Sequence, residues 1–196
     1  MRMLRHVCVF CGSSPGKRPE YVTAAHEVGR VLAANDITVV FGGGRVGMMG
    51  AIADGALGAG GRVVGVIPDG LMRREVAHEG LTEMHVVASM HERKQKMADL
   101  ADAFVMLPGG FGTFEEFCEV ITWAQLGIHA KPCIAVNTNR YYDPLVAMFD
   151  HAMAEGFLRP EVRAIVGVVD TPADLIPILH RHRMPAVERW MNAANT

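Results

Sequence analysis

The chain has 196 residues, half of them hydrophobic, with 19 basic and 21 acidic side chains and a formal charge of −2. That length fits a single domain with one substantial core, and the near balance of charge argues against a nucleic-acid backbone or an anionic membrane surface as partner. The N-terminal apolar run is far shorter than a spanning helix and residues 12–15 read as a turn rather than an export cleavage site, so a cytoplasmic protein is expected.

In chain order, short apolar runs alternate with stretches of helical period. Strands are predicted at residues 7–10, 37–41, 63–67, 85–88, 104–107, 133–136 and 166–169, and helices at 21–34, 48–57, 91–101, 114–126 and 145–154. Strands that are apolar throughout, rather than alternating, belong to a parallel sheet covered on both faces. The predicted fold is therefore α/β, a Rossmann-like doubly wound sheet in one domain. Residues 183–196 are read as a peripheral helix or tail. In such sheets ligands sit beyond the carboxyl ends of the strands, so the loops there are where function is sought.

Four cysteines, Cys8, Cys11, Cys118 and Cys133, supply one CxxC and two isolated thiols, which is no four-cysteine zinc spacing. The nine histidines show no HExxH-like pair. The cysteines read as small buried residues kept reduced in the cytosol, and no metal is called for.

Three strand-end loops stand out: CGSSPG from Cys11, FGGGRVGMMG from Phe41, and PGGFGTFEE from Pro108. Each follows a strand and precedes a helix, where small residues let backbone amides approach an anion and the helix adds its positive dipole end. Gly42, Gly44 and Gly47 also fit GxGxxG, with Asp69 near the distance of a ribose-binding acid. That fit lies after the second strand rather than the first, and close helix packing explains it equally. Three such loops on one sheet edge favour a nucleotide or sugar phosphate as ligand.

The segment SMHERKQKMADLA has Ser89 and Glu92 at capping-box spacing, starting a helix at Met90. Its periodicity places Met90, Met97 and Ala101 on one face, with Arg93 and Lys94 straddling it. These two cations either snorkel to water or aim into a pocket at the sheet edge. Thr113 and Glu116 repeat the T-x-x-E spacing, so Glu116 is read either as a capping partner, with Glu115 complementing the dipole, or as a carboxylate acting beside a bound sugar phosphate. In the second role it stabilises an oxocarbenium ion at the anomeric carbon or activates the attacking water.

PGGFGTFEE fits PGGxGTxxE. Together with MHERK, the GGGxxGxMG loop and ITWAQLGIHAKP, it resembles the LOG family of cytokinin riboside 5′-monophosphate phosphoribohydrolases, from CGSS to about Val169. Such families have been labelled lysine decarboxylases, although no lysine setting for pyridoxal phosphate is recognisable here. The resemblance implies hydrolysis of the N-glycosidic bond of an N6-modified AMP, such as isopentenyl-AMP, or of AMP itself, releasing the base and ribose 5-phosphate. It implies Arg93 and Glu116 as the catalytic pair. Substrate-binding positions would be Glu75, Lys94, the loop residues Gly109, Gly110, Phe111, Gly112, Thr113, Phe114 and Glu115, and Thr122. Gly12, Ser13, Gly42, Gly43 and Gly44 would complete the phosphate and ribose pocket. Met48 and Phe111 stand where Leu and Tyr are common, apolar exchanges that leave the polar chemistry intact. No cofactor is implied, and the family looks dimeric, with residues around Trp123 as interface material. A dinucleotide-dependent oxidoreductase using residues 42–47 and Asp69, and a non-catalytic nucleotide-binding module, are the competing readings.

Overall fold

The computed structural model describes residues 4–72 and 77–187. Its elements run β1 (His6–Phe10), α1 (Pro19–Ala33), β2 (Thr38–Phe41), α2 (Gly47–Gly58), β3 (Val63–Pro68), β4 (Glu83–Val87), α3 (Met90–Leu100), β5 (Ala103–Met106), α4 (Phe111–Gln125), β6 (Cys133–Val136), α5 (Asp143–Ala154), α6 (Pro160–Arg163), β7 (Val166–Val169) and α7 (Leu175–Arg181). The seven strands form one sheet in the order β4-β3-β2-β1-β5-β6-β7, and every pairing is parallel.

Alternation along each strand divides the core in two, because successive side chains leave opposite faces of the sheet. Val7, Val9, Val39 and Phe41 pack with Val28 and Leu32 of α1, Ile52 of α2 and Leu175 of α7. Cys8, Phe10, Val40 and Phe104 pack with Met97 of α3 and Phe117 and Val120 of α4. The chain leaves β1 towards β4 in one direction and resumes from β5 towards β7 in the other, so the order reverses between β1 and β5. That reversal sends the helices that follow β1 and β5 to opposite faces of the sheet, the switch point at whose strand ends ligands of open α/β sheets bind.

Two boundaries differ from expectation in ways that matter. α4 begins at Phe111 rather than residue 114, with Gly110 as its N-cap, because Gly112 is tolerated in a first turn whose amides have no helical partner in any case. α7 was not anticipated, since Pro177 reads as a helix breaker; it sits in the first turn, where its missing N–H costs nothing. Residues 183–187 form no helix, and the remainder of the predicted tail lies outside the described residues.

Candidate active site

Arg93 leaves the first turns of α3, which lies across the carboxyl ends of β2 and β3. Its Nε donates to the Val66 carbonyl at 3.2 Å and its Nη2 to the Gly42 carbonyl at 3.3 Å, while Nη1 stands 3.8 Å from a Glu116 oxygen and 3.8 Å from the Met90 sulfur. Arg93 is 6% exposed and Glu116 9%. A buried guanidinium is tolerated because these carbonyls and the carboxylate replace its water. The expected α3 face is thereby corrected: Arg93, Met97 and Ala98 are its buried residues, and Met90 is 41% exposed, lying over the guanidinium. The first turn of α3 overhangs the sheet's polar edge rather than its apolar face. The helix start itself agrees, with the Ser89 hydroxyl accepting from the Glu92 amide at 3.1 Å and the Glu92 carboxylate accepting from the Ala88 amide at 2.8 Å.

Glu116 has no capping role. Thr113 is the third residue of α4, not its cap, and Glu116 lies in the second turn on the buried face with Thr113, Phe117 and Val120. Helix periodicity then turns Glu115 away to α3, where Lys94 donates to it and, at 3.0 Å, to Glu119. Burial pulls the Lys94 pKa down, but the hydrogen bonds and charges of Glu115 and Glu119 outweigh it and raise the ammonium's pKa above its ordinary value. Lys94 is thus a fixed cation. Glu119, which sequence reasoning missed, carries one oxygen that is buried without a hydrogen-bond partner. Its signal was present as the i+4 spacing from Glu115, one turn along the same helix stripe.

The glycine loops answer to several demands at once. A Cβ on Gly42 would stand 2.0 Å from Arg93 Nη2, so Gly42 makes room for the guanidinium. Gly43 takes a left-handed φ of +79° and its carbonyl accepts from the His78 amide, while a Cβ on Gly47 would stand 2.3 Å from the Ser13 carbonyl. The GxGxxG pattern therefore reflects close packing of the β2 loop on Arg93 and on the β1 loop. Gly44 forms an isolated bridge with Ala77. The Gly12 amide donates to the Pro108 carbonyl at 3.1 Å. It ties the β1 loop to the β5 loop.

The β5 loop is different. Among the described residues, no group accepts a hydrogen bond from the amides of Gly109, Gly110, Phe111, Gly112 or Thr113, and a Cβ on Gly110 or Gly112 would meet open space. Packing does not demand those two glycines, and their absent side chains leave the row of amides at the start of α4 uncovered. Beside it lies a cavity of about 310 Å³ lined by Gly12, Ser13, Tyr21, Met48, Gly109 and Tyr141, among others. Phe114 packs edge-on against Tyr142 at 6.2 Å between ring centroids. Thr122 is exposed two turns beyond Glu115, its hydroxyl bonded to the Cys118 carbonyl at 2.8 Å. It is not gathered with Arg93 and Glu116. Glu75 lies outside the described residues.

The four cysteines are unpaired. Burial first, and then the charge of Glu116, push the Cys11 thiol well up, with Arg93 offsetting part of the effect. It stays protonated and is no nucleophile. No group of three or more His, Cys, Asp or Glu among the described residues is placed to hold a metal ion.

A family model described as "Possible lysine decarboxylase" matches residues 49–179. A cytokinin riboside 5′-monophosphate phosphoribohydrolase of Rhodococcoides fascians is 52% identical over 83% of this chain and 82% of its own. One of Arabidopsis thaliana is 45% identical over 94% of this chain and 86% of its own. Among solved structures, the molybdenum cofactor carrier protein of Chlamydomonas reinhardtii superposes with a TM-score of 0.69 over 91% of this chain and 97% of its own at 20% identity, a likeness of fold. With half its residues shared over nearly its whole length, the chain belongs to the LOG family of cytokinin riboside 5′-monophosphate phosphoribohydrolases.

Proposed function

We propose that this protein hydrolyses the N-glycosidic bond of adenosine 5′-monophosphates carrying an N6 substituent, and of AMP, to free base and ribose 5-phosphate. The observation that carries the mechanism is the pairing of buried Glu116 with Arg93 one helix turn from the unpaired amides of residues 109–113. The amides seat the 5′-phosphate. Glu116 then faces the anomeric carbon rather than the phosphate. As the bond to the base lengthens, its carboxylate stabilises the ribosyl cation and takes a proton from the attacking water. The water's hydroxyl joins the anomeric carbon and the base leaves with the bond's electron pair, taking up a proton. Arg93, itself fixed by the Val66 and Gly42 carbonyls, stands beside the carboxylate as its charge partner. Incubation with isopentenyl-AMP or AMP should release the corresponding base, detected by chromatography, whereas release from neither would refute the reading.

A lysine decarboxylase reading needs a lysine that can lose its proton to form a Schiff base, by desolvation or a cationic neighbour. Lys94 is bound by two carboxylates and its pKa is raised, which is the opposite arrangement.

We further place the protein in the cytoplasm as a single-domain subunit of a homodimer. Unpaired cysteines fit a reducing compartment, and no helix among the described residues is long and apolar enough to cross a membrane. Phe111 and Phe157 are 91% and 85% exposed, apolar area that a second copy would cover around α4 and Trp123. Light scattering should give twice the chain mass of 21.3 kDa; a monomer mass would refute the dimer.

A further inference from the structure

The carbonyls of residues 107–110 are each held by a hydrogen bond. The Leu107 carbonyl accepts from the Tyr142 hydroxyl at 2.6 Å, that of Pro108 from the Gly12 amide at 3.1 Å, that of Gly109 from the Tyr141 hydroxyl at 2.5 Å, and that of Gly110 from the Phe114 amide at 3.0 Å. All peptides here are trans. In a planar trans peptide the C=O of one residue and the N–H of the next point in opposite directions. Holding the Gly109 carbonyl therefore aims the Gly110 amide away from Tyr141, into the row at the start of α4.

We propose that Tyr141 is a positioning residue for phosphate recognition: its hydroxyl orients the Gly109–Gly110 peptide so that the amide meets the 5′-phosphate. This rests on the reading of that amide row as the phosphate seat.

The tyrosine is braced for the task. Its ring meets Tyr21 edge-on at 5.7 Å and Tyr142 at 4.9 Å between centroids. The turn that delivers it contains Asn139 and Arg140 at φ of 52° and 59°, a left-handed conformation that non-glycine residues adopt only when the surroundings enforce it. Asn137 enforces it here, accepting from the Tyr142 amide at 2.7 Å and donating to Asp143 at 2.8 Å. Tyr142 differs from Tyr141 in one respect that makes it a control. The carbonyl it holds precedes Pro108, which has no N–H, so its hydroxyl aims no amide.

The test is calorimetric binding of ribose 5-phosphate and of adenosine, a phosphate-free ligand, to the wild type, Tyr141→Phe and Tyr142→Phe. Phenylalanine keeps the ring, so the difference reports the hydroxyl. Tyr141→Phe should weaken ribose 5-phosphate by about tenfold, the value of one charge-assisted hydrogen bond, and leave adenosine within about twofold. Tyr142→Phe should weaken neither to that extent. Equal weakening of both ligands by Tyr141→Phe, unchanged ribose 5-phosphate affinity, equal losses in the two variants, or no binding of ribose 5-phosphate to the wild type would each overturn the proposal. Binding is read without turnover, so a wild type that shows the predicted pattern but frees no base from isopentenyl-AMP would refute the hydrolase while leaving Tyr141's role standing.

Discussion

Replacing Glu116 by glutamine lowers the rate of base release by about 10²–10⁴-fold, the range typical of a lost general acid–base group, and leaves nucleotide affinity nearly unchanged. Glutamine keeps the side chain's length and a polar end beside Arg93, so the packing of the buried face of α4 is retained. What disappears is the negative charge that stabilises a developing ribosyl cation and the basicity that takes a proton from water. A carboxylate that merely capped the helix would give a different result. Glutamine serves almost as well in a capping box, and activity would persist. The position of Glu116 in the second turn of α4, buried beside a guanidinium, is why loss of turnover is the expected outcome. Rapid-mix kinetics with calorimetric binding of AMP separates the two effects, and activity within tenfold of wild type would contradict the assignment.

Arg93→Ala should lose both activity and stability. The guanidinium is buried, it stands 3.8 Å from Glu116, and it donates to the carbonyls of Val66 in β3 and of Gly42 just after β2. Removing one partner of a buried ion pair costs about 3–5 kcal/mol, and here the Gly42 and Val66 carbonyls lose their donors as well. Arg93→Lys separates charge from geometry. Lysine keeps the charge but cannot span Val66, Gly42 and Glu116 at once as a planar fork does, so base release should fall by about 10²-fold or more, with a smaller loss of stability than for alanine. Urea denaturation of the three proteins measures one axis and steady-state kinetics the other. An Arg93→Ala protein as stable as wild type would show that the guanidinium is solvated rather than built into the sheet edge.

The strands were legible because a parallel sheet covered on both faces needs continuous apolar runs, and residues 39–41, 104–106 and 133–136 have no polar member. The capping box at Ser89 likewise placed the start of α3 at Met90. Arg93 and Lys94 could be flagged as cations needing partners, but which partner each takes depends on how far α3 overhangs the sheet, and that is tertiary. The glycines misled most. Glycine in a sequence does not say whether the space beside it is open, as at Gly110 and Gly112, or taken by a neighbouring residue, as Gly42 cedes its space to Arg93. The start of α4 decided the reading of Glu116, and a three-residue error there turned a second-turn carboxylate into an apparent cap. Tyr141 and Tyr142 gave no signal at all, because their hydroxyls bind carbonyls more than thirty positions away.

In the proposed reaction, water activated beside Glu116 attacks the anomeric carbon of a nucleoside 5′-monophosphate. Turnover of isopentenyl-AMP in water enriched in oxygen-18, followed by mass spectrometry, tests it most directly. The predicted result is free isopentenyladenine with one labelled oxygen in each ribose 5-phosphate formed; no base, or base released without label entering the sugar phosphate, would contradict it.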